Sequence, residues 1–172
     1  MTDQPEPTHN ILSRRRWMLK AHGQHIVVVK GTRERFVHPL MKALIWALYL
    51  PEYPGSTIEV RIGDKYKPDI VAFSEGDIHT VQDAPLFWGE AGRVGKDKIE
   101  SLARRFPDTH FAIGKWNRTL YGQENIVKRA LKKSRRTAPF DLIRFPAHSA
   151  DFIDDDGNIT ITHDDVEWVR IE

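Results

Sequence analysis

Asp64-Lys65-Tyr66-Lys67-Pro68-Asp69-Ile70-Val71-Ala72-Phe73 runs out of a polar turn into an apolar strand, and Leu86-Phe87-Trp88-Gly89-Glu90-Ala91-Gly92 is a second strand with an acid near its end. Lys96-Asp97-Lys98-Ile99-Glu100-Ser101-Leu102 then opens a basic helix. A strand led by an acid, a strand closed by an acid and a basic helix together read as a metal-carboxylate site. Pro68 has no amide hydrogen and a fixed φ, so Asp69 stands where a strand begins. Glu90 follows Trp88 at the side-chain period of two, which puts both on one face. If Asp69 and Glu90 point the same way from adjacent strands, their carboxylates meet at one cation. A hard ion such as Mg²⁺ needs only one or two protein carboxylates beside water and phosphate oxygens.

The flanking sequence supplies the scaffold. Downstream, Ile99, Leu102, Ala103 and Phe106 line one side of a helix that Pro107 stops. A strand is expected over 110–116, a helix over 121–134 and a strand over 140–145. Residues 153–161, around Asp155-Asp156-Gly157-Asn158, read as a hairpin, with a terminal strand over 166–171. Upstream, 17–21 and 24–30 are strands, the second carrying the β-branched run Ile26-Val27-Val28-Val29. Phe36, Leu40, Ala43, Leu44 and Ala47 mark the strongest helix, which starts near residue 35 or 37 if Pro39 occupies its first turn. Residues 57–62, 69–73 and 85–91 follow as strands, with turns at 63–64, 74–77 and 83–85. The first two join antiparallel through the short turn near Gly63, and the helix between Glu90 and His110 is a crossover that makes its two strands parallel. This order argues a mixed α/β sheet flanked by helices, with a C-terminal hairpin and strand extension. The domain expected is 14–172, behind a loose tail over 1–13.

Composition narrows the setting. At 172 residues the chain has room for one domain with a sizeable core. A net charge of +2 commits it to no polyanion by global field alone. It has no cysteine, which excludes disulfides and thiolate metal sites and suits a cytoplasmic protein. No signal-peptide pattern opens it, and the longest apolar stretch, 40–50, is interrupted by Lys42 and too short to span a membrane.

Lys67-Pro68-Asp69 followed by Phe87-Trp88-Gly89-Glu90-Ala91-Gly92 resembles the PD-(D/E)XK nuclease superfamily. Within it, the Glu34 to Trp46 helix and the Trp-x-Glu-x-Gly segment from Trp88 resemble small bacterial YaeQ-type proteins. The resemblance covers roughly residues 32–116. It implies a restriction-endonuclease-like core and metal-dependent hydrolysis of nucleic-acid phosphodiesters. Asp69 and Glu90 would be the metal carboxylates and Glu34 an auxiliary acid on the first helix. The superfamily's lysine falls at Gly92, and the YaeQ-type pattern moves the basic residue into the next helix. Lys98 ranks first for that role, then Lys96, then Arg93. The departure at Gly92 keeps a second possibility open: the same fold without catalysis, binding nucleic acid or a protein.

Each of these residues also has a plain reading. Pro-Asp is common turn chemistry, Glu34 suits a solvated first helical turn, and Lys98 suits a solvated helix face. Lys128, Arg129, Lys132, Lys133, Arg135 and Arg136 form a basic run that is either a solvated face or a ridge for phosphates. The acids at 151 and 154–156 fail the EF-hand spacing and read as a polar turn. His38, one helical turn from Glu34, is a surface histidine or a support for the site.

Overall fold

A computed structural model describes residues 11–74 and 84–172. Most of the expected tail, residues 75–77 of one expected turn and Asp83 of the next therefore lie outside the described residues. Strands β1 (Arg16–Ala21) and β2 (Gln24–Val29) pair antiparallel as a separate hairpin. Its connection is His22-Gly23, both at positive φ, as a two-residue turn matched to strand twist requires. Trp17, Leu19 and Ala21 alternate inward along β1 and are buried.

Helix α1 (Val37–Tyr49) starts at Val37, so Pro39 does sit in the first turn, where its missing amide costs nothing. Nearly the whole helix is buried because it is covered twice, by the hairpin on one side and the main sheet on the other. The sheet approaches closely at Gly114, where a Cβ would stand 2.8 Å from Ile45 Cδ1 and 2.7 Å from Phe145 Cε2.

That sheet has the order β3 (Thr57–Ile58), β4 (Ile70–Ala72), β5 (Phe87–Ala91), β6 (His110–Trp116), β7 (Phe140–Phe145) and β8 (Glu167–Ile171). The β3–β4, β4–β5 and β7–β8 pairs are antiparallel, and β5–β6 and β6–β7 are parallel. Helices α2 (Lys96–Arg105) and α3 (Tyr121–Leu131) make the two crossovers. They cover the opposite face from α1, over a core of Trp88, Ile99, Leu102, Phe111, Val127 and Leu142. The expected mixed α/β sheet is present. Among the described residues, no helix is long and apolar enough to cross a membrane.

Five expectations change. The strand over 57–62 shrinks to Thr57–Ile58 because Glu59 turns to φ +59°. Residues 153–161 form no hairpin ladder: Asp154 Oδ1 accepts the Asp156 and Asn158 amides, and pairing is reduced to single bridges at Ile153–Ile159 and Lys20–Asn158. The last strand is no extension but the edge of the main sheet. Finally, α3 ends at Leu131, so Lys132 to Arg136 lie beyond it, and Glu34 lies in the loop before α1 rather than on the helix.

Candidate functional site

The β4–β5 ladder pairs Ile70 with Gly89, so the residue before Ile70 comes level with the residue after Gly89. Those residues are Asp69 and Glu90. The Asp69 amide donates to the Gly89 carbonyl at 3.2 Å, and Asp69 Oδ2 accepts the Ala91 amide at 2.8 Å. Asp69 is thus fixed across the end of β5 by its own side chain. Glu90 is 8% exposed, and its Oε1 accepts the Trp88 indole N–H at 2.7 Å, as their shared face predicts. Lys98 Nζ stands 2.8 Å from the same oxygen, reaching in from the first turn of α2 across the Tyr66 ring.

The other cations and acids converge from the α1 side. Glu34 Oε2 accepts the Gly31 amide at 2.8 Å, and its Oε1 lies 2.6 Å from His38 Nδ1 and 3.3 Å from Lys42 Nζ. His38 Nε2 is 3.8 Å from Asp69 Oδ2, and Lys42 Nζ is 3.7 Å from Asp69 Oδ1. Lys42 also donates to Glu59, which in turn pairs with Lys67 at 2.5 Å. Lys42 is a buried ammonium facing three carboxylates, and the chain of contacts Glu34–His38–Asp69 ties the helix to the strand end.

These contacts set the protonation states. Burial opposes the Lys42 charge, but the Glu59 hydrogen bond and the Asp69 and Glu34 charges outweigh it and hold the ammonium above its ordinary range. Burial likewise opposes ionisation of Glu34 and Glu59. The Gly31 amide, His38 and Lys42 at one, and Lys42 and Lys67 at the other, outweigh it and lower both carboxyls. Glu90 is the exception. Burial first, and the Asp69 charge second, push its carboxyl up, and Lys98 and Trp88 only partly offset them.

That exception bears on whether a divalent cation fits. Among the described residues no group of three or more metal-ligating side chains converges, but a pair of hard oxygen donors suffices for Mg²⁺. Asp69 and Glu90 are such a pair, level on adjacent strands, and the Asp69 charge that adds to burial in raising Glu90 is what a cation beside both would offset. The donor set therefore fits.

The expected site residues separate into those brought together and those left apart. Asp69, Glu90, Lys98 and Glu34 belong to one constellation, with His38 supporting it. Lys96 is not brought in: it is exposed and faces Glu100 at 3.7 Å on its own helix. Arg93 is exposed in the loop after β5. The basic run also stands apart. Arg136 is used up structurally, donating to the Ala103, Phe106, Thr109 and Ala138 carbonyls behind the end of α2, and burial lowers its guanidinium to about 10. Lys128 pairs with Glu124 at 2.6 Å. Thr109 precedes β6, about 13 Å along that strand from Ile113, the residue paired with Glu90. The run thus sits at the opposite end of the parallel strands from the carboxylates.

Two features escaped the sequence reading. Lys42 was visible as the one charge in an apolar helix, and its spacing of four from His38 was the signal for its direction. Glu59 had none, because its role depends on a left-handed residue inside an apparent strand. Farther off, fully buried Asp141 accepts from Tyr49 Oη at 2.8 Å, His110 Nε2 at 2.6 Å and Arg170 Nε at 2.9 Å.

No protein-family model matches the sequence, and neither does any curated protein. Solved structures do match. The fold is that of YaeQ proteins. The YaeQ protein from Pseudomonas syringae superposes with a TM-score of 0.52 at 16% identity, covering 81% of this chain and 70% of that one. The YaeQ protein from Xanthomonas axonopodis pv. citri gives 0.53 at 11% identity, covering 80% and 75%. At these identities the YaeQ likeness is one of fold.

Proposed function

We propose that this chain is a YaeQ-like member of the PD-(D/E)XK superfamily and a metal-dependent phosphodiesterase acting on nucleic acid. The observation that carries the reading is the level pairing of Asp69 with Glu90, with the Lys98 ammonium 2.8 Å from Glu90. Asp69 and Glu90 would hold Mg²⁺, which supplies Lewis acidity and an acidified water when bound. Lys98 takes the part of the lysine that the superfamily carries at the position of Gly92. Its ammonium balances Glu90 and stands where it can hold a phosphate oxygen and steady charge that develops on phosphorus. Gly92 sits at φ +94°, a backbone that lysine rarely adopts, so the change of position has a conformational reason. Lys42 and His38, themselves held by Glu34, keep Asp69 in place. With no thiol to oxidise, the chain suits a reducing cytoplasm.

The test is cleavage of single- and double-stranded DNA and RNA oligonucleotides in Mg²⁺ or Mn²⁺. Cleavage is expected with the native chain and lost in Asp69→Ala and Glu90→Ala proteins that keep the native circular dichroism. No cleavage of any polynucleotide with any divalent metal would remove the enzymatic reading. The alternative, a nuclease fold that binds without cutting, is favoured by one feature: Lys42 already brings an ammonium among three carboxylates. It predicts oligonucleotide binding that survives Glu90→Ala and no cleavage.

A further inference from the structure

The second cleft of interest opens at the carboxyl ends of β5 and β6, where the chain turns into α2 and α3. Gly92 lies at its margin, its amide bonded to the Gly114 carbonyl at 2.9 Å. The cleft has a volume of about 830 Å³, and its lining includes Arg35, Arg93, Lys96, Lys115 and Arg118 but, among the described residues, no carboxylate. Of these, Lys96 pairs with Glu100, while Arg35, Arg93, Lys115 and Arg118 have no ion pair among the described residues. Most other cations near the sheet are neutralised: Lys42, Lys67, Lys98, Arg105 and Arg170 each face an acid.

Like charges gathered without a counterion cost free energy, and Lys115 registers that cost. Burial first, then the Arg93 and Arg118 charges, lower its ammonium. Two further features point to an anionic guest. Trp116 lines the same cleft, and its indole Nε1–H is buried with no hydrogen-bond partner among the described residues. Gly95, also in the lining, is the N-cap of α2 and offers no side-chain cap, so first-turn amides remain at the cleft with the positive end of the helix dipole. An isolated phosphate would need a fraction of this space. Cations spread over three loops, the end of β6 and the start of α2, beside an aromatic ring, suit successive phosphates and a stacked base.

The geometry points to this cleft, rather than the 128–136 run, as the binding track for the phosphate backbone of a nucleic-acid strand, leading past Gly92 to Asp69 and Glu90. It takes its nucleic-acid guest from the function proposed above and adds where the strand lies. The placement follows the general rule that ligands of open α/β sheets sit beyond the carboxyl ends of parallel strands. His38 links the two places: its Cδ2 lies 4.0 Å from where a Gly92 Cβ would stand, and its Nε2 lies 3.8 Å from Asp69.

The experiment is fluorescence anisotropy with a labelled single-stranded oligonucleotide of about 20 nucleotides, in EDTA so that nothing is cleaved. Arg93 and Arg118 are both exposed, so an Arg93→Gln/Arg118→Gln protein keeps its fold. It is expected to lose about tenfold or more in affinity and to bind with a salt slope shallower by about 1.4, two contacts at about 0.7 each. Lys115→Gln is expected to weaken binding in the same direction. Lys132→Ala/Lys133→Ala is expected to change affinity less than about twofold. The inference is overturned if the 132/133 protein loses the binding and the 93/118 protein keeps it, or if no oligonucleotide binds. Binding of pyrophosphate alone would overturn it too, by assigning the cleft to small phosphates. Binding that maps to the cleft without cleavage in Mg²⁺ or Mn²⁺ would sink the phosphodiesterase and leave this track standing.

Discussion

Replacing Lys98 by Met isolates the contact on which the candidate site turns. The Nζ–Oε1 separation is 2.8 Å, with Lys98 24% and Glu90 10% exposed at the side chain. Removing one partner of a fully buried pair costs about 3–5 kcal/mol, because a charge is left without compensation. Water reaches Lys98, so about 2 kcal/mol is the reasonable figure here. In a chain of this size that lowers Tm by about 4–8 °C. Thermal unfolding at neutral pH measures it, for the native chain, Lys98→Met, Glu90→Gln and the double variant. Glu90→Gln removes a carboxylate that burial and Asp69 already disfavour, so it is expected to leave Tm unchanged or raised. The double variant is expected to recover most of the loss, giving a coupling of about 1–2 kcal/mol. Millimolar Mg²⁺ is expected to raise Tm more in Lys98→Met than in the native chain, since a cation then replaces the ammonium. Lys98 Nζ also lies 5.3 Å from the Tyr66 ring centroid. An equal loss from Lys98→Met with Glu90 or Gln at position 90 would show that this ring contact, not the charge pair, is what Lys98 supplies, and would refute the electrostatic argument.

Two further predictions follow from backbone and burial. Gly92→Lys places the superfamily's lysine on a backbone at φ +94°, so it is expected to lower Tm, by about 1–2 kcal/mol of strain, and to give no gain in cleavage over the native chain. Asp141 is held down to about 2 because His110, Arg170 and Tyr49 bond it more strongly than burial opposes its charge. A carboxyl lowered on folding contributes stability above its unfolded pKa of about 4 and loses it as the pH falls toward 2, here about 2 kcal/mol. Asp141→Ala is expected to cost about 3–5 kcal/mol at pH 7 by leaving a tyrosine, a histidine and an arginine unpaired. Acid titration by circular dichroism should show the native chain losing more stability than the variant between pH 4 and 2.

What the sequence disclosed and what it withheld divide along one physical line. Patterns set by local periodicity were legible. The inward alternation of β1, the face of α2, the shared face of Trp88 and Glu90, and the crossover that makes β5 and β6 parallel all repeat within a few residues. Asp69 and Glu90 were legible as a pair because a proline before a strand and an acid inside an apolar one are local anomalies. Lys98 could be ranked above Lys96 because it flanks Ile99, and the structure turns it toward Glu90 while Lys96 faces Glu100. Features made by convergence of distant segments were not legible. Glu59 depends on a left-handed kink, Asp141 on partners from α1, β6 and β8, and the cationic cleft on three loops and two element ends that no spacing relates. The basic run at 128–136, open in sequence to either a solvated face or a phosphate ridge, is a different case. It is the densest positive stretch in the chain, yet it lies at the wrong end of the parallel strands, and Arg136 is consumed in capping carbonyls. The cleft's cations are scattered in sequence and gathered in space, and among the described residues all but Lys96 lack an acid to balance them. Charge density along a chain measures solvation; unbalanced charge in a concave place measures the need for a ligand. By that criterion the cleft beside Gly92, and not the basic run, is where the proposed polyanion is to be tested for.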